Sequence, residues 1–493
     1  MGKIVVGKNI LESLTAGMYT DAKIIFREYV QNSVDSIDKA VLRGLIKKED
    51  AQIVIDLDKN NNCIKIEDNG TGILSKDAVK ELLDIGNSNK SVIRNRGFRG
   101  IGRLVGLTYC DELVFETSYK GENEKTIIKF DCRKLNKFLV PGNYIEYDLI
   151  GVINEITEIT LLDEDSFMHY FKVTLNNVIN IDNILDFDIV KEYLGQVLPV
   201  PFNKEFMWGK EINEKLKIVD KCNNEYNIYL SNNDNKEKIF KYYSNKFISN
   251  MRKQLLDNIK NIEIEFIKNQ NEELIAAFWY SVSDFKGSIH DEKIKGIRLR
   301  KGNIQIGDKN TLNSIFKEER FNGWFQGEIY IFDSNIIPNA RRDDFEKNEA
   351  YENLLMELKR IGYRLSKKIR KASNVRNSYL NEAESMIKNL QGDILNGGFN
   401  SQQEKKEILE KIHKSKEEIA GIKEADFDSF NKLFRRLDFL SNKVEEYDKF
   451  KINRLDNANK LEKKVLNKVF DIVTDKYPRE TANEIIECII NQY

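Results

Sequence analysis

Residues 25–38, reading Ile-Phe-Arg-Glu-Tyr-Val-Gln-Asn-Ser-Val-Asp-Ser-Ile-Asp, constrain this chain more than any other stretch. Taken as a helix at about 100° per residue, they put Phe26, Val30 and Ile37 on one stripe and Glu28, Asn32 and Asp35 on nearly the opposite one. One face is core. The other offers a carboxylate, an amide and a second carboxylate in a row, an order that a merely solvated face does not require. Two glycine-marked stretches follow, Ile66-Glu-Asp-Asn-Gly-Thr-Gly-Ile73 and Arg96-Gly-Phe-Arg-Gly-Ile-Gly102.

A chain of 493 residues exceeds a single core and divides into about three units of ordinary size. With 41% hydrophobic and 32% charged residues it reads as soluble, and no run approaches the ~18 apolar residues of a membrane span. The N-terminal residues lack the apolar core of a signal peptide, so a cytoplasmic location and no membrane partner are expected. Cys63, Cys110, Cys132, Cys222 and Cys488 show no CxxC spacing, which argues for reduced thiols over a zinc site or a disulfide framework. The net charge of −1 argues against a uniformly basic nucleic-acid coat and leaves room for a local patch.

Along the chain, residues 9–20 and 22–43 read as two helices, with Thr20-Asp21 as the break and cap between them. Residues 52–57 and 63–67 alternate and read as a hairpin whose second strand runs straight into Asp68-Asn-Gly-Thr-Gly72. Ser75 to Ile85 reads as a short helix. Residues 86–102 are polar and glycine-punctuated, a pattern expected of a mobile lid, and Leu104 to Tyr109 opens a helix behind it. Strands are expected at 112–117, 126–130 and 155–161, then a helical stretch at 164–195 ending at Leu198-Pro-Val-Pro-Phe202.

Strand-like runs at 225–230, 261–267, 274–282, 296–306 and 327–332 place a further α/β unit between about 203 and 350. Beyond about 346 the pattern is helical, broken near residues 396–400. The spacing of Leu433, Leu437, Leu440 and Val444, and again of Val465, Val469 and Ile472, reads as a helical seam. Residues 401–420 hold five Lys and five Glu, a charge-balanced helix. The seam fits a dimerising or hairpin coiled coil, or a long helix packing on its own domain.

A nucleotide site needs phosphate neutralisation, base recognition and, for hydrolysis, a polarised water. No GxxxxGK[ST] occurs, which excludes a P-loop. Gly100, Gly102 and Gly106 give GxGxxxG with no buried strand before it, so a dinucleotide fingerprint is discounted. The three stretches together resemble the GHKL ATPase superfamily, which groups gyrase-type topoisomerases, heat-shock protein 90 chaperones, sensor kinases and mismatch-repair clamps. Its ExxxNxxD helix looks like Glu28/Asn32/Asp35, its DxGxG loop like Asp68/Gly70/Gly72, and its GxxGxG lid closure like Gly97/Gly100/Gly102.

The resemblance implies an α+β chain with four parts. Residues 1–165 would be a GHKL (Bergerat) α/β sandwich ATPase domain and 166–202 a helical connector. Residues 203–350 would be a middle α/β transducer-like domain and 351–493 a helical C-terminal region, with a coiled coil as one reading. It also implies roles. Asp68 would accept the adenine amino group with Gly72 leaving room for the base, and Asp35 would support the pocket. Asn32 would complete the shell of a Mg²⁺ ion that keeps its waters. Glu28 would orient and deprotonate the attacking water. The backbone of Phe98, Arg99, Gly100, Ile101 and Gly102 would hold the phosphates, with Lys90 of the lid folding over them. Thr157 stands where the family has Gly-Thr before a strand, although Ile156 replaces the glycine.

Residues 297–306 look like the strand that opens the second half of the heat-shock protein 90 middle domain, and Pro338-Asn-Ala-Arg-Arg-Asp343 is similar to its arginine-delivering loop. By that match Arg342 is the arginine directed at the γ-phosphate, Arg341 its rival and Lys301 a weaker candidate. The implied function is Mg²⁺-dependent ATP hydrolysis that drives a heat-shock protein 90-like homodimeric clamp on a protein client or complex. The alternatives are a nucleic-acid-associated clamp of mismatch-repair or microrchidia type, with DNA a less favoured partner, and a bacterial antiviral defence ATPase. No histidine sits in a phosphoacceptor context, which disfavours the sensor-kinase branch.

Overall fold

In a computed structural model of the chain, the described residues are 6–14, 17–18, 21–85, 100, 102–179, 181–217, 224–233, 235–249, 255–395, 398–420, 427–447 and 450–493. They form two compact units. The first holds Met1–Asn245, Ile259–Val282 and Asp291–Tyr363; the second holds Lys246–Asn258, Ser283–His290 and Arg364–Tyr493.

Alternation writes the first sheet. Ile53, Ile55 and Leu57 point inward from Gln52–Asp58 (β1), and Ile64, Ile66 and Asp68 from Cys63–Asp68 (β2). The two pair antiparallel, as the hairpin signal predicts. Cys110–Ser118 (β3), Glu124–Asp131 (β4), Thr157–Asp163 (β5), Tyr170–Val178 (β6), Asn227–Asn232 (β7) and Lys236–Lys238 (β8) complete eight strands in the order β5-β4-β3-β6-β2-β1-β7-β8. Every pairing is antiparallel except β1 with β7.

The sequence reading differs from this sheet at several places. Tyr170–Val178, expected inside a helix over 164–195, is the strand between β3 and β2, and the helix there is Phe187–Val197. Val173 and Leu175 are buried and the strand has a partner ladder on both sides, so tertiary pairing overrides the local pattern. The strand expected from 155 begins at Thr157, because Asp148 caps a helix over Leu149–Ile156 by accepting the Gly151 N–H at 2.8 Å. The run at 225–230, assigned to a middle unit, lies beside β1. Gly102–Thr108 is a 3₁₀ rather than an α-helix.

The Ile24–Leu42 helix is buried nearly all round, its polar residues Arg27, Glu28, Gln31, Ser33 and Asp35 included. Asp21 accepts the Lys23 N–H at its entrance. It ends where Gly44 turns to φ +68°, with the Gly44 and Leu45 N–H groups capping the Val41 and Ala40 carbonyls.

The second unit takes in the hairpin Lys246–Ser249 (β9) and Leu255–Asn258 (β10) and the helices after residue 364. A helix over Glu349–Leu395 enters it from the first unit, and Gln402–Ala420, Phe427–Glu445, Lys460–Lys476 and Arg479–Gln492 follow. Leu433, Leu437 and Leu440 pack with Ala383 and Ile387, and Val444 packs with Leu390 and Phe399, so this seam is used inside the chain. The second seam is misread. Val465 and Ile472 are exposed, whereas Phe470 and Val473 are buried with Ala482 and Ile486. Among the described residues no helix is long and apolar enough to cross a membrane.

Back in the first unit, Asn261–Lys268 (β11), Leu274–Val282 (β12), Gly296–Lys301 (β13), Ile304–Ile306 (β14) and Gln326–Ile331 (β15) make a second sheet in the order β11-β12-β15-β13-β14. Its interior holds a charge cluster. Glu328, fully buried, accepts from Lys241 Nζ at 2.9 Å, from Arg300 Nε and from the Tyr330 hydroxyl. Lys241 also donates to Tyr330 at 2.8 Å and to Asn303 Oδ1 at 3.0 Å. Arg300 reaches out of the sheet to the Gln196 and Leu198 carbonyls, at the end of the helix packed on the first sheet. Although burial opposes its charge, Arg300 and Lys241 hold the Glu328 carboxyl far below the usual carboxylate range; burial and the neighbouring Arg300 push Lys241 down to about 8.

Removing Glu328 leaves two buried cations without their anion. Glu328→Gln is therefore expected to lower unfolding stability by about 3–5 kcal/mol. Denaturant unfolding of the purified variant checks this, and a loss of less than about 1 kcal/mol would show that the cluster does not hold the sheets together.

Candidate nucleotide site

The site is built from one helix and three strand ends. Asp68 continues the inward face of Ile64 and Ile66, so a carboxyl stands at a core position. It is 2% exposed, its Oδ1 accepts the Gly70 N–H at 2.9 Å, and its Oδ2 has no hydrogen-bond partner among the described residues. Burial raises its pKa to about 7, against the pull of the Ser33 and Ser36 hydroxyls and the Gly70 amide. Ser36 also accepts the Thr71 N–H at 3.1 Å, which ties the loop to the helix.

The two loop glycines answer to close packing. A methyl group at Gly70 would overlap the Ser36 hydroxyl, and one at Gly72, at φ +62°, would overlap the Ser118 carbonyl of β3. The Ile73 N–H then bonds to Thr117 Oγ1 at 2.8 Å, fixing where the loop leaves the sheet.

Register shows what the sequence reading missed. Asp68 stands opposite Phe171 of β6, Phe171 opposite Thr117 of β3, and Thr117 opposite Thr126 of β4. The four form a row across the sheet, in which Thr126 Oγ1 is buried without a hydrogen bond. A correct period-2 reading of 170–178 would have exposed Phe171. Thr157, by contrast, lies on β5 at the sheet edge, with β4, β3 and β6 between it and β2. The structure does not bring it to Asp68. Its hydroxyl oxygen is buried with no hydrogen-bond partner among the described residues.

On the helix, Glu28 is 7% exposed and lies beside two guanidinium groups. Its Oε1 is 3.5 Å from Arg27 Nε and 3.4 Å from Arg342 Nε, with no hydrogen bond to that oxygen among the described residues. Charge draws the three together without latching them. Arg27 also donates to the Arg341 carbonyl at 2.8 Å, so the loop carrying both loop arginines is fastened to the helix. Arg342 is buried and sits at φ +57°, a left-handed conformation that costs a side-chain-bearing residue ~1–2 kcal/mol; its carbonyl is held by the Gly307 N–H at 2.9 Å. Arg341 is exposed, and Lys301 bonds to the Asp333 carbonyl.

Gly102 abuts the same carboxylate, since a methyl group there would overlap Glu28 Oε2. The Tyr29 hydroxyl donates to the Arg103 carbonyl and accepts the Gly106 N–H, both at 3.0 Å, which locks the Gly102–Thr108 turn onto the helix. Gly100, at φ +69°, precedes it. Asn32 is half-buried one turn from Glu28, and Asp35 is 3% exposed. Lys90, Gly97, Phe98, Arg99 and Ile101, and with them most of the expected lid, lie outside the described residues.

The same part of the chain is similar to known proteins. Residues 19–158 match the family described as histidine kinase-, DNA gyrase B-, and HSP90-like ATPase. Similar curated proteins are named chaperone protein HtpG. The one from Wigglesworthia glossinidia brevipalpis is 25% identical over 241 residues, 44% of this chain and 37% of its own length. That from Buchnera aphidicola is 26% identical over 237 residues, 42% and 34% of the two chains. That from Clostridium acetobutylicum is 31% identical over 189 residues, 34% and 29%. The match thus spans about a third of these relatives. Over residues 19–158 the chain is thus similar to GHKL-type ATPases, and across about a third of their length to chaperone proteins named HtpG.

Proposed function

We propose that the chain binds ATP with Mg²⁺ and hydrolyses it, and that hydrolysis drives a heat-shock protein 90-like homodimeric clamp acting on a protein client or complex. The observation that carries this reading is Glu28, a buried carboxylate on the motif helix with Arg27 and Arg342 at its Oε1 and the Gly102 backbone against its Oε2. A carboxylate so placed can take a proton from water, and an arginine beside it can stabilise charge that develops on a transferring phosphoryl group.

The remaining residues fit a nucleotide. Asp68 presents a buried oxygen with no hydrogen-bond partner among the described residues, the right acceptor for an exocyclic amine. Among the described residues no group of three His, Cys, Asp or Glu side chains could hold a metal ion alone. That suits a Mg²⁺ ion carried in by phosphate oxygens, to which the Asn32 carboxamide adds a single hard ligand. The fit is to a metal–nucleotide complex. The work of closure falls to this chain's own residues, with the loop at 338–345 supplying Arg342 and the lid the phosphate-binding amides.

Three substitutions test the reading. Glu28→Ala is expected to keep ATP affinity within about twofold while lowering kcat by about 10²–10⁴; retained turnover would remove Glu28 as the base. Arg342→Ala is expected to slow hydrolysis at least about tenfold with little change in affinity, and the same result from Arg341→Ala instead would move the role by one residue. Asp68→Asn is expected to abolish ATP binding in calorimetry and yet to stabilise the nucleotide-free protein.

The stabilising effect of Asp68→Asn has a sign fixed by burial. The folded carboxyl holds its proton up to about pH 7, above its ordinary value of 3.8. Stability on this account is full below 3.8 and is lost as the pH rises towards about 7. Asparagine carries no such charge. Between pH 5 and pH 8 the wild type should lose on the order of 2 kcal/mol more than the variant; parallel melting-temperature profiles would show that Asp68 is not a protonated group in the empty pocket.

A further inference from the structure

The loop after β2 is irregular, and its backbone is held by bonds to other elements. The Asn69 N–H donates to the Gln52 carbonyl at 3.4 Å, the Gly70 N–H to Asp68 Oδ1 at 2.9 Å and the Thr71 N–H to Ser36 Oγ at 3.1 Å. The Gly70 carbonyl meets His169 Nδ1 at 2.7 Å. A carbonyl oxygen only accepts, so the imidazole is the donor and its Nδ1 carries the proton. Gly70 is buried and His169 half-buried. Both polar groups of the Gly70 backbone are thus committed, one to Asp68 and one to His169.

His169 stands just before β6, and the start of that strand meets the loop at three successive residues. His169 holds Gly70. The Tyr170 carbonyl accepts from Thr117 Oγ1 at 3.2 Å and would lie 2.9 Å from a methyl group placed on Gly72. Phe171 stands opposite Asp68 in the ladder, its ring 5.9 Å from that of Phe115 in the core.

Space at Gly70 creates the need for such a hold. A side chain there would overlap the Ser36 hydroxyl at 2.2 Å and Asp68 Oδ1 at 2.7 Å, so the position requires glycine. Glycine brings with it the widest backbone freedom of any residue, which has to be restrained from outside. The Ser33 and Ser36 hydroxyls reach the Asp68 carboxyl from the buried helix, whereas the Gly70 amide reaches it from the loop. Without the imidazole a buried carbonyl would lose its partner, and turning the loop to recover one would carry the Gly70 amide off Asp68.

We infer that His169 is a positioning residue for base recognition. By holding the Gly70 carbonyl it keeps the Gly70 amide on Asp68 Oδ1 and leaves Oδ2 for the exocyclic amine of adenine. The inference rests on the reading of Asp68 as the base acceptor, and it gives a share in choosing the base to a residue outside all three motif stretches.

The full-length chain is titrated calorimetrically with ATP and with ITP, whose base carries a carbonyl oxygen where adenine carries the amine. At about pH 8 Asp68 is ionised and has no proton to offer that oxygen. Wild type is expected to prefer ATP by at least about tenfold. His169→Ala should bind ATP about tenfold more weakly and keep a preference of no more than about threefold. His169→Asn puts an amide nitrogen as many bonds from Cβ as Nδ1 and should restore affinity and preference to within about threefold of wild type. His169→Gln carries its nitrogen one bond further out, should behave like the alanine variant, and takes its place should that variant melt early. The inference alone is overturned if wild type prefers ATP and His169→Ala keeps the same preference, or if His169→Asn is no better than His169→Gln. Wild type that binds ATP no more tightly than ITP removes Asp68 as the base acceptor, and the inference with it.

Discussion

Glu328 is the constraint on which the first unit depends. A carboxylate with no exposure must be paired, and here Lys241 comes from a loop after the first sheet while Arg300 comes from the neighbouring strand of the second. Because Arg300 also donates to the Gln196 and Leu198 carbonyls, the end of the helix on the first sheet is bound to the same ion. The gain of pairing has to offset the desolvation of three charged groups, so the cluster specifies an arrangement more than it adds stability. One consequence reaches the nucleotide site. Gly307, just past β14, grips the Arg342 carbonyl, so the second sheet also sets where the arginine stands.

The motif helix shows the opposite economy. Burying Arg27, Glu28, Gln31, Ser33 and Asp35 on one helix costs solvation at every turn, and not every atom recovers it. Neither end of the Gln31 side-chain amide has a hydrogen-bond partner among the described residues, nor does Asp68 Oδ2. A protein selected only for stability would replace such groups by apolar ones. Their presence marks the pocket as a place where stability is given up for a ligand that can supply the missing partners. Glu28 occupies a middle position, close enough to two arginines to be neutralised and too loosely held to be trapped by them.

What could be read in the sequence follows from which chemistry fixes residue type. Glu28, Asp68, Gly70, Gly72 and Gly102 stood out in the sequence because few other residues suit their positions: a glycine where a hydroxyl, carbonyl or carboxylate passes too close for a side chain, a carboxyl where a core residue should be. Strand β6 was not legible. Its identity as a strand is conferred by β2 and β3 on either side, a pairing between residues more than fifty apart that no local window contains. That misreading hid Phe171 opposite Asp68, while Thr157 stands on β5 at the sheet edge. The seam at 465–472 failed differently. Its helix, Lys460–Lys476, is real, but the buried stripe runs through Phe470 and Val473, one position away from the spacing that looked regular.

Net charge failed in the same way as a local window, by averaging. A total of −1 describes the chain as neutral, although residues 358–381 of one helix hold eight cations and no anion. Charge interactions decay over about 10 Å at moderate salt, so a sum over the whole chain does not describe any one segment. The Arg364–Lys371 segment and the balanced helix at 402–420 therefore differ in local charge, although both are rich in lysine and both are helical. On the balanced helix His413 and Lys414 face Glu417 and Glu418 one turn on, while Lys416 pairs with Asp438 and Glu404 with Arg479 on other helices.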